Sequence, residues 1–342
     1  MPVKSALSKK RKRVSFEFFK EHFDATLAEY EAHRRTWKGL HVYGTDGDQY
    51  ELPRSEDILQ HGYIGYPCAN LMETHYPRMY VVHCYDVLGG VTKALRYSNR
   101  NEEVRLATEI AVGLEPKSLT LYDRLFVSGD LFRAHAAGGS YALVRCREGA
   151  TFEEIKDFFL SNKRNDTFQI KGATINLVKI VNPATGESAV YATNLPRKKF
   201  KNKDIANLYA LRWECETANR DMSHTIKVEQ WHSQSLNGLL QEIYTAFWLM
   251  NQARIQMALR MKKRCTMSSL FSYSKSNFKL VLDFVMDSLV DLVARKFRRV
   301  QRRLKIILER SIEKRSRRSR TYPRQIKHSR KVYPSASTVP RR

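Results

Sequence analysis

Leu208 to Lys227 reads LYALRWECETANRDMSHTIK, a stretch without glycine or proline and rich in helix formers. That composition predicts one long helix, starting near Asn202 or Asp204. Leu208, Leu211, Cys215, Ala218 and Met222 recur at spacings of three and four, giving the apolar stripe of a helix that packs on a core. A second stripe is unsuited to a core. Tyr209, Arg212, Glu216, Arg220, Ser223 and Lys227 line up a phenol, a carboxylate and three cations along another edge. Two readings fit this edge: a solvated face stitched by i,i+4 pairs such as Arg212 with Glu216, or the wall of a working site. Tyr209 and Trp213 favour the second.

The charge balance narrows the partners. The chain has 342 residues, with 60 Lys+Arg against 35 Asp+Glu and a net charge of +25, which points to a polyanion. Counting from Arg295 to Arg342 gives 19 Lys+Arg and 2 Glu, so 19 − 2 = 17 of that charge lies in the C-terminal stretch. The 5 cysteines (Cys68, Cys84, Cys146, Cys215, Cys265) stand far apart with no C-x-x-C pair, indicating neither a zinc knuckle nor a disulfide frame. No signal-peptide core opens the chain and no apolar run is long enough to span a bilayer, so a soluble intracellular protein is expected.

Outward from the central stretch, the chain divides by pattern. Residues 1–38 form a basic N-terminal helical region: the run Lys9-Lys10-Arg11-Lys12-Arg13 fits a nuclear address, a solubilising flank or, the preferred reading, a phosphate-binding arm, and Phe16, Phe19, Phe23, Leu27 and Tyr30 mark a helix capped by Ser15. From Gly39, HVYGTDGDQYELP predicts a hairpin turning at Asp46-Gly47, and MYVVHCYDVLGGVTKALRY predicts two strands joined through Asp86 to Gly90. A helix near Asn101–Gly113, a strand ending at Asp123, a helix from Ser128 to Ala137 and the strand SYALVRC follow. Residues 150–199 are rich in Thr, Val, Ile and Tyr and predict three or four antiparallel strands inserted before the Leu208 helix. Residues 39–149 and 200–260 thus make an α/β core, with Leu236–Leu259 a buried helix. Residues 261–310 form a C-terminal helical region, with one helix over Phe278–Leu308 that grows steadily more basic. Residues 311–342 have the composition of a disordered basic tail.

Three carboxylates on such a scaffold, in a strongly basic chain, point to paired divalent metals acting on a phosphodiester. The motifs sharpen this. YALRWECE, continued by RDMSHTIKVEQW, resembles the Y-x2-R-x3-E-x6-K signature of bacterial insertion-sequence transposases of the DDE class, specifically the insertion sequence 4 family. Tyr209, Arg212 and Glu216 occupy the Y, R and E. DGDQYELP resembles that family's D-G-[ST]-x-x-x-L-P block, and LTLYDRLFVSGDLF its L-x-D-R-G-[FY]-x-S block. The openings SALSKKRKRVSFEFF and RSRRSRTYPRQIKHSRKVYP are similar to the family's two ends.

The resemblance implies a ribonuclease-H-like mixed sheet with an antiparallel β insertion before the third carboxylate. It implies Asp46, Asp123 and Glu216 as catalytic residues and ligands of two Mg²⁺ ions, with Mn²⁺ able to substitute. Tyr209, Arg212, Arg220, Lys227, Lys9, Lys10 and Arg11 would contact DNA phosphates. The implied reaction is cut-and-paste transposition at terminal inverted repeats, through nicking, a hairpin intermediate and joining of the 3′-OH ends to target DNA. Double-stranded DNA, a homodimer in the synaptic complex, no membrane, and a cytoplasmic, nucleoid-associated setting in a bacterium complete the expectation. Two positions depart from the pattern: Ser223 stands where the signature has Lys, and Leu125 where the second block has Gly. Arg220 and Lys227, on the same predicted stripe, are the cations able to replace the missing one. The chain opens close to the family's S-x-x-R block, so end recognition is expected to rest on the first helix and the basic C-terminus. Rival readings are a non-catalytic basic DNA-binding protein, and another ribonuclease-H-like nuclease that cuts without joining.

Overall fold

The computed structural model describes residues 9–64, 76–149, 152–181, 186–258, 275–293, 296–310 and 312–313. In chain order the elements are α1 (Phe16–Glu31), β1 (His41–Glu51), α2 (Glu56–Gln60), β2 (Arg78–Asp86), β3 (Val91–Ser98), α3 (Glu103–Val112), β4 (Ser118–Tyr122), α4 (Gly129–Ala137), β5 (Tyr141–Arg145), α5 (Glu153–Leu160), β6 (Asn165–Ile170), β7 (Ala173–Val181), β8 (Ser188–Thr193), α6 (Asn202–Ala210), α7 (Trp213–Arg220), α8 (Leu236–Ala258), β9 (Lys275–Ser276), α9 (Phe278–Val293), α10 (Phe297–Arg310) and β10 (Ile312–Glu313). The basic tail expected to be disordered lies, from Lys314 onward, outside the described residues, as do Cys68, Cys265 and the turn at 182–185.

Eight strands form one mixed sheet in the order β3-β2-β1-β4-β5-β8-β7-β6. β1, β2 and β3 are antiparallel neighbours, whereas β4 and β5 run parallel to β1. This five-strand order is the ribonuclease-H-like arrangement. The Thr- and Val-rich strands β6, β7 and β8 are antiparallel and continue the same sheet beyond β5. Helices cover both faces, as parallel strands require. On one face Phe23 of α1, Leu208 of α6, Cys215 and Ala218 of α7, and Leu239 and Phe247 of α8 pack against Val42, Tyr50, Val81 and Tyr85. On the other, Leu106 and Ile110 of α3, Leu131 and Phe132 of α4, and Ile155 and Phe158 of α5 pack against Tyr43, Val82 and Cys84. Ser15 caps α1 as its position predicts, accepting from the Glu17 N–H at 3.2 Å.

Besides α5, a helix at the head of the 150–199 block expected to be strands, three elements differ from the sequence expectation. First, Asp46-Gly47 is no hairpin turn but the middle of the continuous strand β1, where Asp46 faces His83 of β2 across the ladder. Its glycines provide room rather than a turn. A Cβ on Gly44 would lie 2.2 Å from Cys215 Sγ of α7, and one on Gly47 would lie 2.7 Å from Glu103 Cδ of α3.

Second, Leu208–Lys227 is not one helix. At its centre the bonds tighten to i→i+3, with Leu211 N–H on Leu208 O (2.9 Å), Arg212 on Tyr209 (3.0 Å) and Glu214 on Leu211 (3.0 Å). After α7 it widens into a π-helical segment, Asp221–Ile226, closed by Lys227 in the left-handed region at φ 59°. The predicted apolar stripe survives both changes: Leu208, Leu211, Cys215, Ala218 and Met222 are all buried.

Third, the expected helix over Phe278–Leu308 is two helices. α10 folds back so that Leu308, Leu304 and Ile307 join Ala253, Val281 and Leu282 in a small core, which a straight continuation of α9 would not reach. Asp291 stands at this reversal within 3.6–3.8 Å of Lys296, Arg299 and Arg303.

Candidate active site

The register between β1 and β4 places the first two carboxylates. Gly44 pairs with Leu121, so the ladder carried two residues further sets Asp123, just past β4, level with Asp46. α7 lies across β1 with Cys215 against Gly44, and the next residue, Glu216, is near enough to act on the charge of Asp46. Both Asp123 and Glu216 bear on Asp46. Burial raises the Asp46 carboxyl to about 6, with Arg212 opposing the rise and Asp123 and Glu216 adding to it. Asp123 and Glu216 therefore lie near enough to Asp46 to act on its charge. Each is also held by its own chain. Asp46 Oδ1 accepts the Gly47 N–H at 3.1 Å and Oδ2 the Asn219 Nδ2–H at 3.1 Å. Asp123 Oδ1 caps the short turn that follows it, accepting the Leu125 N–H at 2.6 Å. Glu216 Oε1 accepts from Arg212 at 2.6 Å.

The first half of the second stripe is drawn in against the sheet, with Arg212 paired to Glu216 at i,i+4. Arg212 keeps only 13% of its side chain exposed, beside Tyr209, whose ring centroid lies 5.8 Å from the guanidinium carbon. Burial acts against its charge, but Tyr209, Glu216 and Asp46 hold the guanidinium above its ordinary value. Its Nε–H has no hydrogen-bond partner among the described residues. Tyr209 packs on Tyr191 of β8 at 5.0 Å, and burial pushes its phenol up to about 12, against the pull of Arg212, so it is a neutral O–H donor beside Asp123.

The second half of the stripe departs from expectation. Arg220, four residues beyond Glu216, is exposed at the end of α7 and shares its edge. Lys227 does not. The π-helical segment delays the helical phase, and Lys227 instead borders a cavity of about 300 Å³ with Phe19, Gln241 and Thr245. Ser223 lies within that segment, half-buried.

At the N-terminus, Lys9 and Lys10 are exposed, whereas Arg11 is not a free phosphate ligand. Its guanidinium bonds Gln241 Oε1 (2.9 Å), Gly238 O (3.1 Å) and Glu242 Oε1 (2.6 Å), clamping the N-terminal segment to α8. Leu125 replaces a glycine without strain, since its φ is not positive and its side chain is 57% exposed.

Sequence spacing missed three polar groups at this centre. Glu103, the first residue of α3, lies beneath Gly47; burial, with Asp46, Asp123 and Asp48 adding, raises its carboxyl above the ordinary value. Asn219 and His83 complete a hydrogen-bonded chain to Asp46, with His83 Nε2 2.5 Å from Asn219 Oδ1. Asn219 stands three residues from Glu216, on the same face of α7, and that i,i+3 spacing was the one signal available. Asp86, which also ends a strand, is structural: buried, it accepts from Tyr30 Oη (2.9 Å) and from the Leu88 and Gly89 N–H groups.

Among the described residues, no three His, Cys, Asp or Glu side chains converge closely enough to grip one metal ion as they stand. The donor set nevertheless suits a hard divalent cation, because all three carboxylates offer oxygen and their mutual repulsion is what a cation relieves. Glu216 has only Oε1 engaged by Arg212, which leaves Oε2 for a cation.

The order of the first five strands defines a ribonuclease-H-like protein, with Asp46 in the middle of β1 and Asp123 just past β4. The sequence profile of the transposase DDE domain matches residues 37–252, and the chain belongs to that family. Curated proteins provide no match. Among solved structures, the chain is similar to the piggyBac transposase in a cryo-EM synaptic complex with hairpin DNA, at a TM-score of 0.44 and 11% identity. That similarity covers 78% of this chain and 57% of the other, so the chain spans little more than half its length. No helix among the described residues is long and apolar enough to cross a membrane.

Proposed function

We propose that the chain is a cut-and-paste transposase of the insertion sequence 4 type, which nicks the ends of a mobile element and joins the released 3′-OH ends to target DNA. The observation that supports the reading is that Asp123 and Glu216 both bear on the buried carboxylate of Asp46, within the stretch that the transposase DDE domain profile matches. Two Mg²⁺ ions bound there would supply Lewis-acid polarisation of the scissile phosphate and activation of the attacking oxygen. Asp46, Asp123 and Glu216 would hold them, their oxygens fixed by Asn219, by the Leu125 N–H and by Arg212 in turn.

Tyr209 donates a neutral hydroxyl to a DNA phosphate, and Arg212, while bonded to Glu216 through one amino group, presents a charged fork whose Nε–H is unspent. Arg220, Lys9 and Lys10 add exposed cations along the DNA path, and the basic helix α10 and tail add sequence-independent phosphate contacts. A hairpin intermediate and a homodimer that pairs two ends belong to the same reading.

Incubating the protein with a labelled duplex from the border of its element, a supercoiled plasmid and Mg²⁺ tests it. Nicked, hairpin and plasmid-joined products are expected. Cleavage with no joined product would make the chain a nuclease, and binding without cleavage a DNA-binding protein.

A further inference from the structure

His83 lies buried on the α8-facing side of β2, in a row with Val81 and Tyr85, where an apolar residue is the ordinary occupant. Its ring is 2% exposed and sits 5.8 Å from that of Phe247. What it faces explains its presence. The carboxylate of Asp46 can only accept, so the Asn219 side chain must turn its NH₂ toward Asp46 Oδ2, at 3.1 Å. Asn219 Oδ1 then points at His83 Nε2, at 2.5 Å, and as an acceptor it requires the ring proton to be on Nε2. The remaining nitrogen, Nδ1, is a bare lone pair without a partner among the described residues, which costs less than burying an unpaired N–H.

The order of donors along this chain is therefore set from one end by the charge of Asp46 and from the other by a neutral imidazole. With the Gly47 N–H on Oδ1 and Asn219 on Oδ2, each oxygen of Asp46 keeps one lone pair for a cation, and the plane of the carboxylate is fixed.

We infer that His83 and Asn219 are positioning residues: His83 locks the amide of Asn219, and Asn219 holds Asp46 in the orientation that receives the metal. This rests on the catalytic reading of Asp46. Neither residue touches the metal or the DNA, so the pair governs how readily metal is bound rather than the chemical step.

The test uses Mn²⁺ as the probe, followed by calorimetry on the DNA-free protein and by the metal dependence of nicking. Asn219→Ala and His83→Phe should each raise the Mn²⁺ needed for half-saturation about ten-fold, the usual scale for partners of a ligand. Nicking at saturating Mn²⁺ should be nearly restored. His83→Gln, which keeps an N–H donor, should recover most of the affinity. The double variant His83→Phe with Asn219→Ala should be no worse than either alone, because His83 acts only through Asn219. Should His83→Phe prove unstable, Asn219→Ala on the half-exposed face of α7 carries the test with His83→Gln. Additive losses in the double variant, or unchanged Mn²⁺ affinity in the single ones, would overturn the inference while leaving an Asp46-dependent metal site intact. A wild-type protein without Asp46-dependent Mn²⁺ binding would overturn the catalytic reading and the pair's role together.

Discussion

Asp46 carries a charge that its surroundings resist. Its carboxyl is lifted to about 6 by burial first, with Asp123 and Glu216 adding to the rise, so the metal-free protein loses stability as pH climbs from the ordinary aspartate value through about 6. The deficit is fully present at neutral pH. Asp46→Asn removes it and keeps an oxygen for the Asn219 N–H, so the variant should be more stable than the wild type without metal, by about 2–3 kcal/mol. Thermal unfolding in a chelator at pH 7.5 checks this, and a lower melting temperature for the variant would contradict it. The cations of the second stripe separate at the same scale. Arg220 shares the edge of Glu216 whereas Lys227 has been carried off it, so Arg220→Ala should weaken end-duplex binding about ten-fold and Lys227→Ala should leave it nearly unchanged. Competition binding at fixed salt measures both, and equal losses would contradict the assignment. Asp46, Asp123, Glu216, Tyr209 and Arg212 were singled out by motif spacing, and the structure sets Asp123, Glu216 and Arg212 within electrostatic reach of Asp46. His83 and Glu103 were not legible, since each reaches the site from an element whose local pattern is that of an ordinary strand or helix start.

At the scale of elements, the site depends on how closely α7 approaches β1. Gly44 lets Cys215 Sγ sit where a Cβ would be, 2.2 Å from its ideal position, which brings Glu216 toward Asp46. Gly44→Ala should force the two elements apart and destabilise the protein by about 1–3 kcal/mol. Adding Cys215→Ala removes the obstructing sulfur and should restore most of that loss, together with nicking, because the next atom, Val87 Cγ1, stands at 3.2 Å. Denaturant unfolding of the single and double variants decides it, and additive destabilisation would contradict the contact. This approach also explains the misread hairpin. An Asp-Gly pair between alternating residues is a turn signal locally, but here the glycines answer to a helix about 170 residues away and to α3. The break and the π-helical segment around α7 were hidden for a related reason. Composition gives helix propensity, whereas the tightened and widened turns follow from fitting Leu211, Cys215 and Met222 into one core.

Across the whole molecule, the N-terminal segment is tied into the sheet on which the site is built. Arg34, beyond α1, reaches Tyr43 of β1 and Glu115 before β4, and Glu115 is held down at about 2 by hydrogen bonds from Tyr43 and Arg34, with burial opposing them. Its folded value lies below the ordinary one, so its contribution is present above pH about 4.5 and fades as pH falls toward 2. Glu115→Gln should therefore be less stable than the wild type at neutral pH, and the two should converge near pH 2; a gap that widened on acidification would contradict this. The alternation of strands and helices made the α/β class legible, and the Thr- and Val-rich block made the extra strands legible. Their joining to β5 in one sheet was not, because pairing partners are a property of the assembled sheet rather than of any strand. The proposed function requires the three carboxylates to act as one centre. Nicking of an end duplex, titrated with Mg²⁺ for the wild type, Asp46→Asn, Asp123→Asn and Glu216→Gln with Asp48→Asn as control, tests that claim most directly. Metal-dependent nicking should be lost in each of the first three at every Mg²⁺ concentration and kept in Asp48→Asn, with DNA binding retained throughout. Nicking that persists in Asp123→Asn or Glu216→Gln, or that proceeds without divalent metal, would contradict it.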